Sequence, residues 1–294
     1  MKTTTRLRQL LSQPGIIVAP GAYDCLTAKL IEREGFPAVY MTGAGTSVTR
    51  LGKPDLGFIT LSEMVASAGA ITSTVSIPLI ADADTGFGGA LNVYRTVREY
   101  ERAGVAALHI EDQVFPKRCG HLDGKQVVPV EEMVTKIRAA TEGRTDKDFV
   151  IIARTDALAV TGLDDTLQRC EAYAEAGADV LFVEALRTQA EIKRVVREVD
   201  VPLLYNFVEH GKSPLLSVSA LQRLGFKIVI FPGSIMLGVL TLARQILGEI
   251  KQHGTTAVLL DRMSNVVELF ETVGRSEMLA LDARAAIGSP TPTP

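Results

Sequence analysis

Along the first 250 residues, short apolar runs rich in β-branched side chains alternate with stretches whose apolar residues recur at helical spacing. The runs are Ile16–Ala19, Ala38–Met41, Pro78–Ala81, Ala106–Ile110, Phe149–Ala153, Val180–Val183, Val201–Tyr205 and Lys227–Phe231. They number eight, at intervals of roughly 20 to 45 residues, and each predicts a strand. The spacing between them predicts helices over Asp24–Arg33, Ser62–Thr74, Leu91–Ala103, Val130–Thr141, Leu163–Glu175, Thr188–Val199, Ser217–Leu224 and Ser234–Ile250. Several helices close on a glycine that suits a left-handed C-cap: Gly35, Gly104, Gly177 and Gly225. Eight strand–helix units predict an α/β fold of the (β/α)8 TIM-barrel kind. A doubly wound sheet is the alternative, but no Gly-x-Gly-x-x-Gly follows the first strand, which runs into Ala19-Pro20-Gly21-Ala22-Tyr23-Asp24. Beyond Gly254 the strands stop. Thr256–Ile287 predicts two or three short helices, and Gly288–Pro294 a disordered end. No linker interrupts the pattern, so residues 1–287 are expected to form one domain with a helical tail from about residue 255.

Composition narrows the class. With 47% hydrophobic and 22% charged residues, the chain has a soluble composition with ample core. A net charge of −3, 5% aromatics and no Trp give no case for nucleic acid or an acidic membrane surface. Three widely spaced cysteines, Cys25, Cys119 and Cys170, argue for a reducing compartment without disulfides. The basic start Met1–Arg6 leads into no signal-type apolar segment, and no run reaches the ~18 apolar residues of a membrane span. A cytoplasmic protein is expected.

In such a barrel the chemistry gathers where strands end. After strand 2 comes Thr42-Gly43-Ala44-Gly45, whose backbone N–H groups could form an anion nest or simply a glycine turn. After strand 3, Asp82 and Asp84 stand at i and i+2, where two strand side chains share a face. Glu111, leaving strand 4, is placed to join them. Adjacent carboxylates repel unless a proton or cation lies between them, and an all-oxygen set favours a hard ion such as Mg²⁺. Strand 5 ends in Arg154-Thr155-Asp156, strand 6 in Glu184, strand 7 in Asn206-Phe207-Val208-Glu209. Arg154 could bind a substrate carboxylate bidentately or pair with Glu184 or Asp156. The stretch Glu111–Asp123 adds a loop in which Cys119 lies among Lys117, Arg118 and His121, a setting expected to lower a thiol pKa.

Three segments carry a resemblance: Asp82-Ala83-Asp84-Thr85-Gly86-Phe87-Gly88, Glu111-Asp112-Gln113 and Lys117-Arg118-Cys119-Gly120-His121. On these the chain resembles the isocitrate lyase / phosphoenolpyruvate mutase superfamily from Gly15 to about Arg275, and the last looks like the K-[KR]-C-G-H signature of its carbon–carbon lyase branch. The resemblance implies a homo-oligomer, a dimer or a tetramer built as a dimer of dimers, that exchanges its eighth helix between subunits. It implies Mg²⁺ (or Mn²⁺) held by Asp82 and Asp84 with help from Glu111, and a small hydroxy-dicarboxylate substrate. Thr42, Gly43, Ala44, Asp55, Gly120, Arg154, Glu184, Asn206, Glu209 and Ser213 would face that substrate. Tyr40 matches a tyrosine proposed as the base on the substrate hydroxyl; Cys119, with His121 beside it, would protonate the enolate left by retro-aldol cleavage. A phosphonomutase, whose gating loop lacks the cysteine, is disfavoured.

Within that branch, methylisocitrate lyases place two arginines for a third carboxylate, and the matching positions here are Leu237 and Val266. Burying a carboxylate against Leu and Val without a partner costs several kcal/mol in order-of-magnitude terms. The segments Phe182-Val183-Glu184-Ala185 and Gly52-Lys53-Pro54-Asp55 also resemble the members acting on alkylmalates and oxaloacetate. A 2,3-dimethylmalate or other 2-alkylmalate lyase is the expectation; methylisocitrate lyase and oxaloacetate hydrolase are the alternatives.

Overall fold

In the computed structural model, which describes residues 1–286, the eight apolar runs form eight strands in a closed parallel barrel. They are β1 (Ile17–Ala22), β2 (Val39–Met41), β3 (Leu79–Asp82), β4 (Ala107–Glu111), β5 (Val150–Thr155), β6 (Val180–Val183), β7 (Leu203–Asn206) and β8 (Ile228–Phe231). Pairing runs β1 through β8 in order and closes through Ile17↔Ile228 to Pro20↔Phe231. A parallel sheet is covered on both faces, which is why the strands read as nearly unbroken apolar runs rather than as alternation.

Two cores follow from the alternation of side chains. Ile17, Ala19, Tyr40, Ile80, Ala107, Val150, Ile152, Val180, Phe182, Leu204, Ile228 and Ile230 fill the barrel. The intervening residues, among them Val39, Met41, Leu79, Ala81, Leu108, Ile151, Leu181 and Val229, pack against the helices. Burying each of the larger apolar side chains is worth about 1.5–3 kcal/mol. Continuing the inward set two residues at a time reaches Asp82, His109 and Glu111, Arg154, Glu184 and Asn206. The barrel's own period thus delivers these polar groups to one end.

Several helices begin at side-chain caps. Asp24 and Thr27 form a capping box, as do Thr60 and Glu63, and Thr188 and Glu191. The predicted closing glycines adopt the left-handed conformation, with φ from 81° at Gly35 to 111° at Gly225. Among the helices not anticipated, the longest is Thr3–Ser12. Its Leu7 is fully buried and, with Leu10 and Leu11, packs on the barrel's inner core.

By its contacts the chain divides into two compact units, Met1–Met236 and the part from Leu237 on. The second holds most of the helix Ser234–His253, a short turn of helix Ala257–Arg262, and helices Val266–Thr272 and Arg275–Ala286. Leu237 lies in the first of these, and Val266 opens the helix that ends at Thr272. The expected disorder of Gly288–Pro294 falls outside the described residues. Among the described residues, no helix is long and apolar enough to cross a membrane.

Candidate active site

The strand-end carboxylates and cations meet as a buried network. β3 ends at Asp82, and the chain then turns sharply: Asp84 has φ 46°, so the strand geometry that aligns i with i+2 does not extend to it. The pair is joined by a backbone bond instead, Asp84 N–H donating to Asp82 Oδ1 at 2.9 Å. Gly43 N–H donates to Asp82 Oδ2 at 3.2 Å, and Gly45 N–H to Thr42 Oγ1 at 3.2 Å. The anticipated anion nest at Thr42-Gly43-Ala44 therefore has one amide engaged by the protein's own carboxylate. A side chain at Gly43 would run into that carboxylate, 2.4 Å from its Oδ2.

Glu111 closes β4 and is fully buried. Arg154 Nη1 lies 3.0 Å from its Oε2, while its Oε1 has no hydrogen-bond partner. Arg154 also reaches Asp156 through Nε at 2.9 Å, has Glu184 Oε2 at 3.6 Å, and lies over the Phe182 ring. The salt bridges weighed as the ordinary role of Arg154 are thus all present. Asn206 Nδ2 donates to Glu184 Oε2 at 3.1 Å and leaves its own Oδ1 unpaired. Ser213 is buried, and Glu209 accepts a short hydrogen bond from Ser234 while its Oε2 has no partner.

Residues 113–127 arch over this floor from a base pinched by a Gln113–Val127 bridge and by Val128 N–H on the Asp112 carbonyl (2.8 Å). Lys117 turns down from the arch, its Nζ 2.5 Å from Asp55 and 2.6 Å from Asp84. Arg118 turns outward to the Asp123 carbonyl at 3.0 Å. His121 Nε2 sits 2.9 Å from Glu184 Oε1, and its Nδ1 accepts the Lys212 N–H at 3.0 Å. Nδ1 is thereby an acceptor, which leaves the proton on Nε2 facing Glu184. Gly120 lies so close to the floor that a Cβ would stand 2.3 Å from Arg154 Nη2 and 2.6 Å from Glu184.

These contacts overturn one expectation, a lowered thiol pKa at Cys119. Burial pushes the thiol up, Asp55 and Glu184 add to the rise, and the His121 N–H and the Arg154 charge only partly oppose it. The two cations adjacent in sequence do not help, since Lys117 is committed to Asp55 and Asp84 and Arg118 faces the Asp123 carbonyl. Cys119 keeps its proton at neutral pH.

Elsewhere burial and charge pull apart. Asp84 is pushed up to about 7, by burial first and then by Asp82 and Asp55, with Lys117 opposing. Glu111 is raised well above the carboxylate range by burial, against the pull of Arg154. Asp82 is held below that range despite burial. His109, 3.6 Å away, helps only when protonated, and burial pushes that imidazole down, so Lys117, Arg154 and the Asp84 N–H decide the outcome. Tyr40 is pushed well up by burial and by Asp82; its hydroxyl is 2.8 Å from His109 Nε2 and 3.5 Å from Asp82 Oδ2.

Four participants escaped the sequence reading. His109 stands two residues before Glu111 on the same face, a period-2 signal that was available. Lys117 as a bridge, Lys125 on Asp156, and Asp112 gripped by Thr155, Arg169 and Tyr173 depend on long-range partners and left no local signal.

The donor set suits a hard divalent ion. It is all oxygen, and six carboxylates (Asp55, Asp82, Asp84, Glu111, Asp156, Glu184) face three cations, Lys117, Lys125 and Arg154. Among the described residues, no three acids, histidines or cysteines draw close enough to cage a metal by themselves. An ion here would take few protein ligands and complete its shell with water and substrate, which is the habit of Mg²⁺.

The family model for phosphoenolpyruvate phosphomutase matches residues 7–251. The chain belongs to this family. A 2,3-dimethylmalate lyase from Eubacterium barkeri is 46% identical over 288 residues, covering 98% of this chain and 100% of the relative. A 2-methylisocitrate lyase from Aeropyrum pernix is 45% identical over 280 residues, covering 95% and 90%. The structure of an oxaloacetate acetylhydrolase with the inhibitor 3,3-difluorooxalacetate superposes with TM-score 0.92 at 40% identity, covering 97% of each chain. Within the phosphomutase family, this chain is a lyase acting on carbon–carbon bonds.

Proposed function

We propose that the chain is a Mg²⁺-dependent lyase that cleaves a 2-alkylmalate, with 2,3-dimethylmalate the leading candidate, into an α-keto acid such as pyruvate and a carboxylate such as propionate. The observation that carries this reading is the placement of Cys119 on an arch tied down over Arg154 and the strand-end acids through Gly120, Lys117 and His121. Asp82, Asp84 and Glu111 would hold the ion, which when bound supplies Lewis-acid stabilisation of the keto-acid oxygens.

The substrate hydroxyl gives its proton to the Tyr40 oxygen as Tyr40 passes its own to His109 Nε2, 2.8 Å away. A neutral imidazole, which burial favours at His109, is the form able to receive it. The C2–C3 bond then breaks, C2 becomes the keto carbon, and the bonding pair moves into the C3 carboxylate as an enolate. Cys119 delivers a proton to C3 and is left as a thiolate. Arg154 orients a substrate carboxylate, Asn206, Glu209 and Ser213 face the remainder, and the arch excludes water from the enolate. His121, whose Nε2 stands 2.9 Å from Glu184 Oε1, orients the arch beside the thiol.

The choice among lyases rests on Leu237 and Val266, apolar where a tricarboxylate enzyme of this branch would carry arginines. A cytoplasmic homo-oligomer with exchanged eighth helices belongs to the same reading. The test is keto-acid release from 2-alkylmalates with and without EDTA, run also in D2O. The proposal expects release that stops with EDTA and returns with Mg²⁺, and propionate carrying one deuterium at C2. Release indifferent to both EDTA and Cys119→Ser would sink it.

A further inference from the structure

Reading Cys119 as the proton donor leaves a buried cation on the same arch without a task. Lys125 stands six residues beyond the thiol, on the returning limb of the arch, and its side chain is 2% exposed. A buried ammonium has three donors to satisfy, and a lysine on a surface arch could more cheaply reach water. Its Nζ instead lies 2.7 Å from Asp156 Oδ1 and donates a second, short hydrogen bond to the carbonyl of Gly120.

Both partners matter to the site. Gly120 follows Cys119 directly, and its Cα rests on Arg154 and Glu184 so closely that no Cβ fits. Lys125 takes the same residue by its carbonyl, so the residue next to the thiol is held from two directions. Asp156 is the carboxylate that receives Arg154, at 2.9 Å from Nε and 3.2 Å from Nη2. It is itself held in place by hydrogen bonds. Its N–H donates to Asp112 Oδ1 at 2.9 Å, and Asp112 Oδ2 accepts from Thr155, Tyr173 and Arg169 at 2.7, 2.8 and 3.2 Å. A rigid chain of charge-assisted bonds thus runs from the helix Leu163–Glu175 through Asp112 and Asp156 to Lys125 and the Gly120 carbonyl.

We propose that Lys125 is a positioning residue for Cys119, bridging the Gly120 carbonyl to Asp156 so that the thiol is seated by the same carboxylate that orients Arg154. Lys125 does not touch substrate in this account. Its importance for proton delivery rests on the lyase reading above; its hold on the arch does not.

The test uses the full-length protein and two variants. Lys125→Met removes charge and donor. Lys125→Arg keeps the charge that Asp156 needs, and hence the fold, but its longer planar fork cannot hold Gly120 in the same place. Alkylation of Cys119 by iodoacetamide, followed by peptide mass spectrometry without substrate or metal, reports how firmly the thiol is seated. In Lys125→Met it should quicken at least about tenfold, and in Lys125→Arg at least about threefold, as the arch opens. With Mg²⁺ and 2,3-dimethylmalate, kcat should fall about 100-fold in Lys125→Met and KM by much less than that, because a misplaced donor slows proton transfer more than binding.

A lysine that merely neutralises Asp156 predicts a wild-type alkylation rate and wild-type kcat in Lys125→Arg, and that result overturns the inference. So does a fall in kcat with no change in alkylation. If Lys125→Met does not fold, Lys125→Arg alone decides. Should alkylation respond while the unmodified protein releases no keto acid from any 2-hydroxy dicarboxylate, the bridge stands and the lyase reading fails. Should Cys119→Ser abolish activity while neither variant alters alkylation, the bridge alone fails.

Discussion

Gly120→Ala isolates the seating of the arch with a single methyl group. The new Cβ would stand 2.3 Å from Arg154 Nη2 and 2.6 Å from Glu184 Cγ and Cδ. Non-bonded carbon prefers about 3.5–4.0 Å, so the arch or the two side chains must part by about 1 Å. Arg154 cannot easily give way, being bound to Asp156 and Glu111, nor can Glu184, held by His121 and Asn206. The arch moves, and Cys119 moves with it. A displacement near 1 Å costs a positioned group about 100-fold in rate, or about 2.7 kcal/mol at 1.36 kcal/mol per factor of ten. The assay is kcat for keto-acid release, with thermal unfolding as control. Because the strain can be relieved by lifting the arch from an intact barrel, the loss of stability should stay below about 1 kcal/mol, or about 2 °C in Tm for a chain of this length. A variant with kcat within threefold of wild type would refute the reasoning, because the methyl would then have been accommodated without disturbing the thiol.

Three further outcomes follow from the same contacts. Cys119→Ser should lower kcat by about 10²–10⁴ with an unchanged Tm, as expected for removal of a general acid; a loss below tenfold speaks against its role. The thiol pKa lies above its ordinary value of 9.0, so the alkylation rate of Cys119 should still be rising at pH 9. The sign for catalysis is the reverse: the acid form is present at neutral pH and is lost as pH climbs through that raised value, and an alkylation plateau at neutral pH contradicts both. Asp112→Ala strips Arg169 and Tyr173 of their shared carboxylate and should destabilise the fold by about 3–5 kcal/mol in a denaturant titration; a change below 1 kcal/mol shows the network to be dispensable.

Much of the site could be read in the sequence because the barrel repeats with a period of two. Once Ile80, Ile152, Phe182 and Leu204 point inward, Asp82, Arg154, Glu184 and Asn206 must follow at the strand ends. The same reasoning reaches His109 from Glu111, although only the acid was picked out. The helix Thr3–Ser12 carried its own signal, Leu7, Leu10 and Leu11 at helical spacing. The thiol was misjudged for a different reason. Proximity in sequence put Lys117 and Arg118 beside Cys119, but direction is fixed by distant partners: Asp55 and Asp84 draw the lysine down, and the Asp123 carbonyl holds the arginine outward. Lys125 likewise finds Asp156 across 31 residues. Asp84 was assigned to the right cluster by a strand argument, whereas the chain reaches that place through a left-handed turn.

Relatives of nearly equal similarity, at 46% and 45% identity, act as their names state on different substrates, so the substrate has to be measured. Equal concentrations of 2,3-dimethylmalate and 2-methylisocitrate, offered together to the Mg²⁺-loaded protein, leave different products beside pyruvate, propionate from the first and succinate from the second. A third carboxylate left without a partner costs at least about 2 kcal/mol, so propionate should exceed succinate by more than about 30-fold when both are counted by NMR. Succinate in equal or greater amount would contradict the account.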